Sequence, residues 1–133
     1  MDVIRRNTDY ALRLIVGLVE NHGGSPISAR RLAKSCDISY ELGCKLLQRL
    51  SSWGLVVSRM GINGGFELAK SPEKISLYQV IAAVQGNICL NCCVPDAKSC
   101  SKQPACKIRK KLIALQKYIE EYLKNITLDK LLK

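Results

Sequence analysis

The sequence is poor in histidine and in acidic residues. It contains one histidine, and 11 Asp and Glu residues against 21 Lys and Arg residues. A single histidine leaves little scope for the nucleophile–base pairs of hydrolytic enzymes, and the sequence has no glycine-rich phosphate-binding loop. We therefore expect that this protein is not an enzyme.

Long apolar runs are missing as well. A membrane-spanning helix needs about 20 consecutive apolar residues, whereas the mostly apolar run Tyr10–Val19 is interrupted by Arg13. Arg5 and Arg6 before this run resemble the start of a signal peptide, but no small-residue cleavage site follows. The sequence predicts a cytoplasmic protein without a membrane partner. Thiols stay reduced there, and seven cysteines, an odd number, are not expected to form a disulfide scaffold.

Positive charge is abundant in both halves of the chain. The formal net charge is +10 and the isoelectric point is about 9.4. This balance favours a polyanionic partner such as nucleic acid. The length of 133 residues is enough for one domain with a modest apolar core.

The first half has the pattern of a helix-turn-helix. Asn7-Thr8 can cap a first helix, in which apolar residues recur at helical spacing. Ser28 can cap a short second helix, Ala29–Cys36, and Ser39 can cap a third helix that runs to about Trp53. Two short helices joined by a tight break form a helix-turn-helix, whose second helix fits the major groove of DNA.

A β-hairpin is predicted directly after the third helix. Leu55–Arg59 and Phe66–Ala69 are strand-like, and Asn63-Gly64 between them favours a tight turn with positive φ values. A hairpin in this position is a wing, and its tip, residues 62–65, lacks bulk and could enter a minor groove. The predicted fold is mainly α with a small β-hairpin wing: a winged helix-turn-helix followed by a long C-terminal dimerisation helix.

Candidate DNA contacts lie on the second helix, the recognition helix and the wing. Residues near the start of the recognition helix are expected to reach base edges, and the arginines to hold phosphates and set the register. The alternative for each is an ordinary solvated residue on a helical domain that is basic by accident. The candidates are Ser28, Arg30, Arg31, Ser39, Tyr40, Glu41, Lys45, Gln48, Arg59, Asn63 and Gly64.

The second half contains a short helix, a cysteine-rich segment and a long helix. Ser76 can cap the short helix, Leu77–Gln85. The long helix, from about Cys106 to Lys124, has an apolar seam at heptad spacing, which is typical of a two-helix dimer contact or of a helix that faces the core. The seam residues are Ile108, Leu112, Leu115, Ile119, Tyr122 and Ile126.

The chain therefore divides into three predicted parts. Residues 1–85 form the DNA-binding domain, residues 86–106 form the cysteine-rich loop, and residues 107–133 form the dimerisation helix and a short last helix. Thr127 is expected to cap that last helix, Leu128–Leu132.

Five of the seven cysteines lie between positions 89 and 106. Cysteines this close together indicate a use for their thiolates, and the spacing leaves three alternatives open: an iron–sulfur cluster, a zinc site and a thiol–disulfide switch. Cys36 and Cys44 lie apart from this segment and are expected to be small buried apolar residues. A tetrahedral zinc set would consist of Cys89, Cys92, Cys100 and Cys106.

Over essentially its whole length the chain resembles the Rrf2 family of bacterial winged-helix transcription factors. The matching residues occur in the order that the family has them, from the first helix through the wing to the C-terminal end. They are Thr8-Asp9-Tyr10-Ala11-Leu12-Arg13, Ile38-Ser39, Gly54-Leu55-Val56, Gly61, Gly64-Gly65, Val80-Ile81-Ala82-Ala83-Val84 and Asn125-Ile126-Thr127-Leu128.

The resemblance implies an iron–sulfur cluster held by the cysteine-rich loop. Three cysteines of this loop ligate iron in the cluster-binding members, and Cys93, Cys100 and Cys106 match them here. The gap between the first two is one residue longer than in the family, so Cys92 is an alternative first ligand, and Cys89 is a reserve ligand.

The fourth ligand distinguishes two kinds of family member. IscR-like members, which bind a 2Fe–2S cluster, use a histidine three residues past the last cysteine, where this chain has Arg109. NsrR-like members, which sense nitric oxide, complete a 4Fe–4S cluster with an aspartate from the first helix of the partner subunit, and Asp9 matches that position. Without the resemblance, Asp9 would be read as an acidic residue that complements the helix dipole.

The resemblance thus implies a homodimer that binds a double-stranded DNA operator and senses redox state, nitric oxide or iron supply through a 4Fe–4S cluster. Loss of the cluster would change the affinity for DNA, because the cluster stabilises one arrangement of the two subunits. The alternative is a zinc-stabilised or thiol-based regulator on the same fold.

Overall fold

The computed structural model describes residues 3–88, 90 and 107–132. Within these residues it contains five α-helices, one two-stranded antiparallel sheet and two short 3-10 helices, and this order confirms the predicted winged helix-turn-helix. The elements are α1 (Arg6–Glu20), α2 (Ala29–Ser35), α3 (Tyr40–Ser52), β1 (Val56–Arg59), β2 (Gly65–Leu68), the 3-10 helix Pro72–Lys74, α4 (Leu77–Gln85), α5 (Lys107–Lys124) and the 3-10 helix Leu128–Leu132.

The first helix does not begin at the predicted cap. It begins at Arg6, and Arg5 at the N-cap position makes no side-chain cap. Thr8 lies inside the first turn and is fully buried. Its hydroxyl donates a hydrogen bond to Gln85 Oε1 at 2.7 Å. The prediction of an Asn7-Thr8 cap is therefore wrong, because the Thr8 hydroxyl bonds to a distant residue instead of the local backbone.

The predicted caps of α2 and α3 are confirmed. Ser28 Oγ accepts a hydrogen bond from the Arg31 N–H at 3.2 Å, and Ser39 Oγ accepts one from the Leu42 N–H at 3.3 Å. The break between the two helices includes Asp37, whose φ is 58°. Both caps fix where a helix starts, and together they set the geometry of the helix-turn-helix.

The hairpin forms as predicted, but its turn differs. Arg59 pairs with Gly65, so the connection consists of residues 60–64. Positive φ values occur at Gly61 and Gly65, whereas neither Asn63 nor Gly64 has one. The prediction of a tight Asn63-Gly64 turn is therefore wrong, because the connection is longer and has its positive φ values at Gly61 and Gly65.

A backbone bridge joins the wing to the start of α2. Ile27 N–H donates to Phe66 O at 3.1 Å, and Phe66 N–H donates to Ile27 O at 2.8 Å. Gly65 lies against this bridge so closely that a Cβ there would be 2.4 Å from the Ile27 carbonyl carbon. The position of the wing is therefore fixed relative to the helix-turn-helix.

The core is one contiguous cluster built mainly by α1, α3 and α4. It includes residues from every part of the DNA-binding domain and also the C-terminal Leu128, which is fully buried. Leu128 N–H donates to Ile75 O at 2.9 Å, and Leu77 N–H donates to Ile126 O at 2.8 Å. These contacts anchor the chain after α5 beside the start of α4. The largest fully buried members are Leu14, Ile15, Leu18, Leu32, Leu47, Leu50, Val56, Ile75, Val80 and Leu128.

The long helix α5 packs against α4 but buries none of its described residues fully. Within the predicted seam, Ile108, Leu115 and Tyr122 are 69%, 48% and 61% exposed, and they recur every seven residues. Leu112 and Ile119 are half-buried. The predicted first residue of this helix, Cys106, lies outside the described residues. Among the described helices, none is long and apolar enough to cross a membrane.

Candidate DNA-binding surface and cluster-ligand positions

The recognition helix α3 has one buried and one exposed face. Leu46, Leu47 and Leu50 pack into the core, and this fixes the opposite face toward solvent. That face carries every candidate base-contacting side chain that was predicted on this helix. The exposed candidates are Ser39, Tyr40, Glu41, Lys45 and Gln48.

An arginine–tyrosine stack joins α2 to the start of α3. The Arg30 guanidinium carbon lies 4.2 Å from the centroid of the Tyr40 ring. This distance is well within the range of a cation–π contact. Tyr40 remains 45% exposed, so the stack orders a side chain that is still accessible to DNA. Two candidates that the sequence placed on different helices therefore form one unit.

The Tyr40 hydroxyl also interacts along α3. A hydrogen bond with Cys44 raises the pKa of Tyr40, and the positive charge of Arg30 opposes this shift. The ordinary pKa of tyrosine is already about 10. The phenol is therefore protonated at neutral pH and can donate a hydrogen bond to a base or a phosphate.

The wing carries one of the predicted phosphate contacts. Arg59 is exposed, but its Nε donates to Glu67 Oε1 at 2.7 Å. Met60 and Ile62 project fully into solvent. The expectation that the tip lacks bulk is therefore wrong, because these two apolar side chains flank the turn.

Asn63 and Gly64 have different surroundings in the wing. Asn63 is exposed and Gly64 is half-buried. A Cβ on Gly64 would lie 2.1 Å from the Arg59 carbonyl oxygen. Gly64 thus has a structural reason to be glycine, whatever contact it makes with DNA.

The basic residues at the start of α2 lie beside the root of the wing. Arg30 and Arg31 are exposed, and Ser28, which caps α2, directly follows the bridge residue Ile27. The bridge joins this helix start to β2, so the basic end of α2 and the wing belong to one surface. A surface with this charge fits the phosphate backbone of DNA.

The aspartate at the start of α1 is accessible. The Asp9 side chain is 54% exposed, and its Oδ2 lies 2.9 Å from Arg13 Nη2. An exposed ion pair of this kind is worth at most about 1 kcal/mol, so a stronger ligand could replace Arg13. The described residues contain no group of three or more His, Cys, Asp or Glu side chains able to hold a metal ion.

The other predicted ligands lie outside the described residues. They are Cys93, Cys100 and Cys106 with the reserves Cys92 and Cys89.

A comparison with known families identifies the chain. Residues 4–133 match the model of the Rrf2 family, which is described as an iron-dependent transcriptional regulator. The chain belongs to the Rrf2 family. It is a DNA-binding transcriptional regulator, and the winged helix-turn-helix described above is the fold that this function uses.

The sequence and structural relatives of this Rrf2 protein include the regulators NsrR, CymR and IscR. The chain is 31% identical over 128 residues to the HTH-type transcriptional regulator NsrR of Shouchella clausii, with 92% of this chain and 86% of the relative covered. Among solved structures it is similar to CymR, the global cysteine regulator of B. subtilis, with a TM-score of 0.82, 27% identity, and 98% and 96% of the two chains covered. The similarity to T. potens IscR has a TM-score of 0.74, 27% identity, and 97% and 85% coverage. These relatives confirm that the chain is a regulator and not an enzyme.

The Rrf2 protein has two cysteines among its described residues, and neither is enclosed. Cys36 and Cys44 are half-buried free thiols, so they are less buried than expected, although Cys36 packs against the apolar core as a small apolar residue would. Cys36 Sγ donates to Arg13 O at 3.4 Å, and Cys44 contacts Tyr40.

Sequence reasoning missed a second basic cluster in this Rrf2 protein. Arg5, Arg6 and Arg49 line one cleft with Thr8 and Gln85. Arg49 comes from α3, and its Nε donates to Ala83 O in α4 at 3.2 Å. Arg5 and Arg6 are adjacent, but Arg49 is more than 40 residues away in the sequence, so only the packing of α1, α3 and α4 brings it to them.

Proposed function

We propose that this protein is a homodimeric transcriptional regulator whose affinity for its operator is controlled by an iron–sulfur cluster, of the 4Fe–4S type. The ligands would be Cys93, Cys100 and Cys106, with Asp9 of the partner subunit. The observation that carries this proposal is the accessible Asp9 carboxylate in the first turn of α1, together with the closely spaced cysteines after α4.

The donor set suits such a group. Thiolates are the usual ligands of iron–sulfur clusters, and an exposed carboxylate held only by a surface ion pair can be recruited. When bound, the cluster would supply a centre that reacts with oxidants or nitric oxide. Residues of this chain would convert the state of that centre into a change of DNA affinity, since ligation that spans two subunits favours one relative pose of the two DNA-binding surfaces.

We propose that α5 forms the dimer contact. Ile108, Leu115 and Tyr122 lie one heptad apart and are all exposed in the single chain. Exposed apolar side chains at heptad spacing favour pairing with a second helix. A dimer also places two recognition helices on one DNA, as paired half-sites require.

A charge in this seam should separate the subunits. We expect Leu115→Glu to weaken dimerisation at least about 100-fold, because each subunit would bring an unpaired carboxylate into an apolar contact. Light scattering coupled to gel filtration measures the mass. Lys117→Glu is the matched control, since it adds an acidic residue at an exposed position outside the seam. A Leu115→Glu protein that stays dimeric at micromolar concentration would exclude α5 as the dimer contact.

The cluster is tested by metal analysis after anaerobic purification. We expect about four iron and four acid-labile sulfide atoms per chain. Cys100→Ala should lose most of both, whereas Cys36→Ala, a cysteine change outside the segment, should keep them. Asp9→Ala should make the cluster more labile, and Glu20→Ala, at the other end of α1, should not.

The same preparation tests the control of DNA binding. Operator affinity of cluster-loaded and cluster-free protein should differ, and equal affinities would exclude the linkage between cluster and DNA. Zinc without sulfide would instead support the second candidate function, a zinc-stabilised or thiol-based regulator without a cluster. The similarity to CymR, the global cysteine regulator of B. subtilis, favours this second candidate.

A further inference from the structure

The end of α4 carries a side chain that grips the N-terminal end of α1 at three points. Gln85 Oε1 accepts hydrogen bonds from the Arg5 N–H at 3.0 Å and from the Thr8 hydroxyl at 2.7 Å. Gln85 Nε2 donates to Val3 O at 2.8 Å. Both ends of the amide are therefore used. We call this set of contacts the Gln85 clamp.

Along the sequence, the residues of the clamp adjoin two parts of the proposed sensing site. Gln85 is the last residue of α4, and Gly86, with a φ of 81°, turns the chain toward the cysteine-rich segment. On the other side, Thr8 is adjacent to Asp9 in the first turn of α1. The Gln85 side chain therefore connects the end of α4, just before the cysteine-rich loop, to the first turn of α1.

The helix α1 in turn contacts the elements that form the DNA-binding surface. The helix α1 packs against α2, α3 and β2. Thr8 is fully buried, so loss of its bond to Gln85 would leave a buried hydroxyl without this partner. The bonded arrangement is therefore favoured over one in which the Gln85 amide has moved away.

We propose that Gln85 is a positioning residue that transmits the state of the cysteine-rich segment to the DNA-reading helices through α1. This inference rests on the proposed function for the DNA response, but not for the mechanical link itself. A second link, from Arg49 Nε to Ala83 O, joins α3 to α4 without Gln85. Loss of the clamp should therefore weaken the transmission and not abolish it.

The test compares two glutamine-to-methionine changes on the same helix. Gln85→Met keeps the side-chain length but removes all three hydrogen bonds. Gln79→Met removes the capping box with Ser76 at the opposite end of α4, so it controls for general destabilisation. Both should lower the melting temperature by a few degrees, and only Gln85→Met should affect transmission.

The mechanical link is measured on cluster-free protein in a Cys36→Ala, Cys44→Ala background. Hydrogen exchange of the first turn of α1 is recorded before and after iodoacetamide alkylates the remaining cysteines. We expect alkylation to change the exchange rate of this turn at least about threefold in the parent and in Gln79→Met, and not in Gln85→Met. No response in the parent, or an equal response in Gln85→Met, would overturn the proposal.

The DNA response is measured separately. In the parent, the operator affinities of cluster-loaded and cluster-free protein differ by some ratio. This ratio should be about 3- to 10-fold closer to one in Gln85→Met and should keep the parent value in Gln79→Met. An unchanged ratio in Gln85→Met would show that Gln85 does not couple the state of the cysteine-rich segment to DNA binding. A parent without iron and sulfide would defeat the proposed function alone, and the exchange experiment would still decide the role of Gln85.

Discussion

Replacing Gly65 by alanine is expected to lower the free energy of unfolding by about 3 kcal/mol or more and to abolish specific DNA binding. Gly65 has a φ of 154°. An added Cβ would lie 2.4 Å from both the carbonyl carbon and the oxygen of Ile27, and 2.8 Å from Ser28 N. These are backbone atoms that cannot rotate away, so the bridge between the wing and the start of α2 would have to open.

Urea unfolding and operator binding measure the two effects. The matched control is Gly61→Ala in the same wing, because Gly61 has a φ of 108° but no heavy atom within 4 Å of an added Cβ. It should lose only about 1 kcal/mol from backbone strain. Equal losses in the two variants would mean that strain, and not the contact with Ile27, determines the requirement for glycine at position 65.

Replacing Tyr40 by alanine is expected to weaken operator binding by about 10- to 100-fold. The change removes a candidate base contact, which is worth about 1–3 kcal/mol. It also removes the ring against which Arg30 is ordered, so the arginine would lose a fixed position toward the phosphates. Arg30→Lys, which keeps the charge but loses the planar stacking group, should show part of the same loss.

A double-mutant cycle separates these contributions. Fluorescence anisotropy of Tyr40→Ala, Arg30→Ala and the double variant should show that each change costs less once the other is present. Arg30→Ala should also reduce the salt dependence by about one phosphate contact. Lys74→Ala removes an exposed charge from the 3-10 helix Pro72–Lys74 and serves as the control. Additive losses would show that the stack has no role in DNA binding.

Local signals in the sequence predicted the helical elements well. Ser28, Ser39 and Ser76 each cap a helix as expected, and α4 has the predicted bounds. A cap depends on residues two or three positions away, so the sequence contains nearly all of the information.

The cap of α1 and the placement of the wing involve partners that are distant in the chain. Thr8 does not cap α1 because its hydroxyl bonds to Gln85, 77 residues later. The wing is held in place by the bridge between Phe66 and Ile27, which lies before the helix-turn-helix in the sequence. No local pattern predicts such contacts, since they exist only after the helices have packed.

The candidate DNA-binding surface also has features that the sequence predicted and features that it did not. The exposed face of α3 follows from helical periodicity, and its candidate residues could be named in advance. The stack of Arg30 on Tyr40 depends on the angle between α2 and α3, which periodicity does not give. Asp9 as a ligand came from the family resemblance alone, because an acidic residue in a first helical turn is common for electrostatic reasons.

The return of the chain after α5 to the DNA-binding core has an evolutionary consequence. Leu128 is buried beside Ile75, and Leu90, near the start of the cysteine-rich loop, donates its N–H to Gln116 of α5. The start of this loop and the chain after α5 are thus both attached to the described body, whose described core cluster consists of residues outside the loop. Changes in the length and the cysteine spacing of the loop should then be tolerated without loss of the DNA-binding fold. A single ancestral fold could in this way give rise to regulators that answer to different chemical signals.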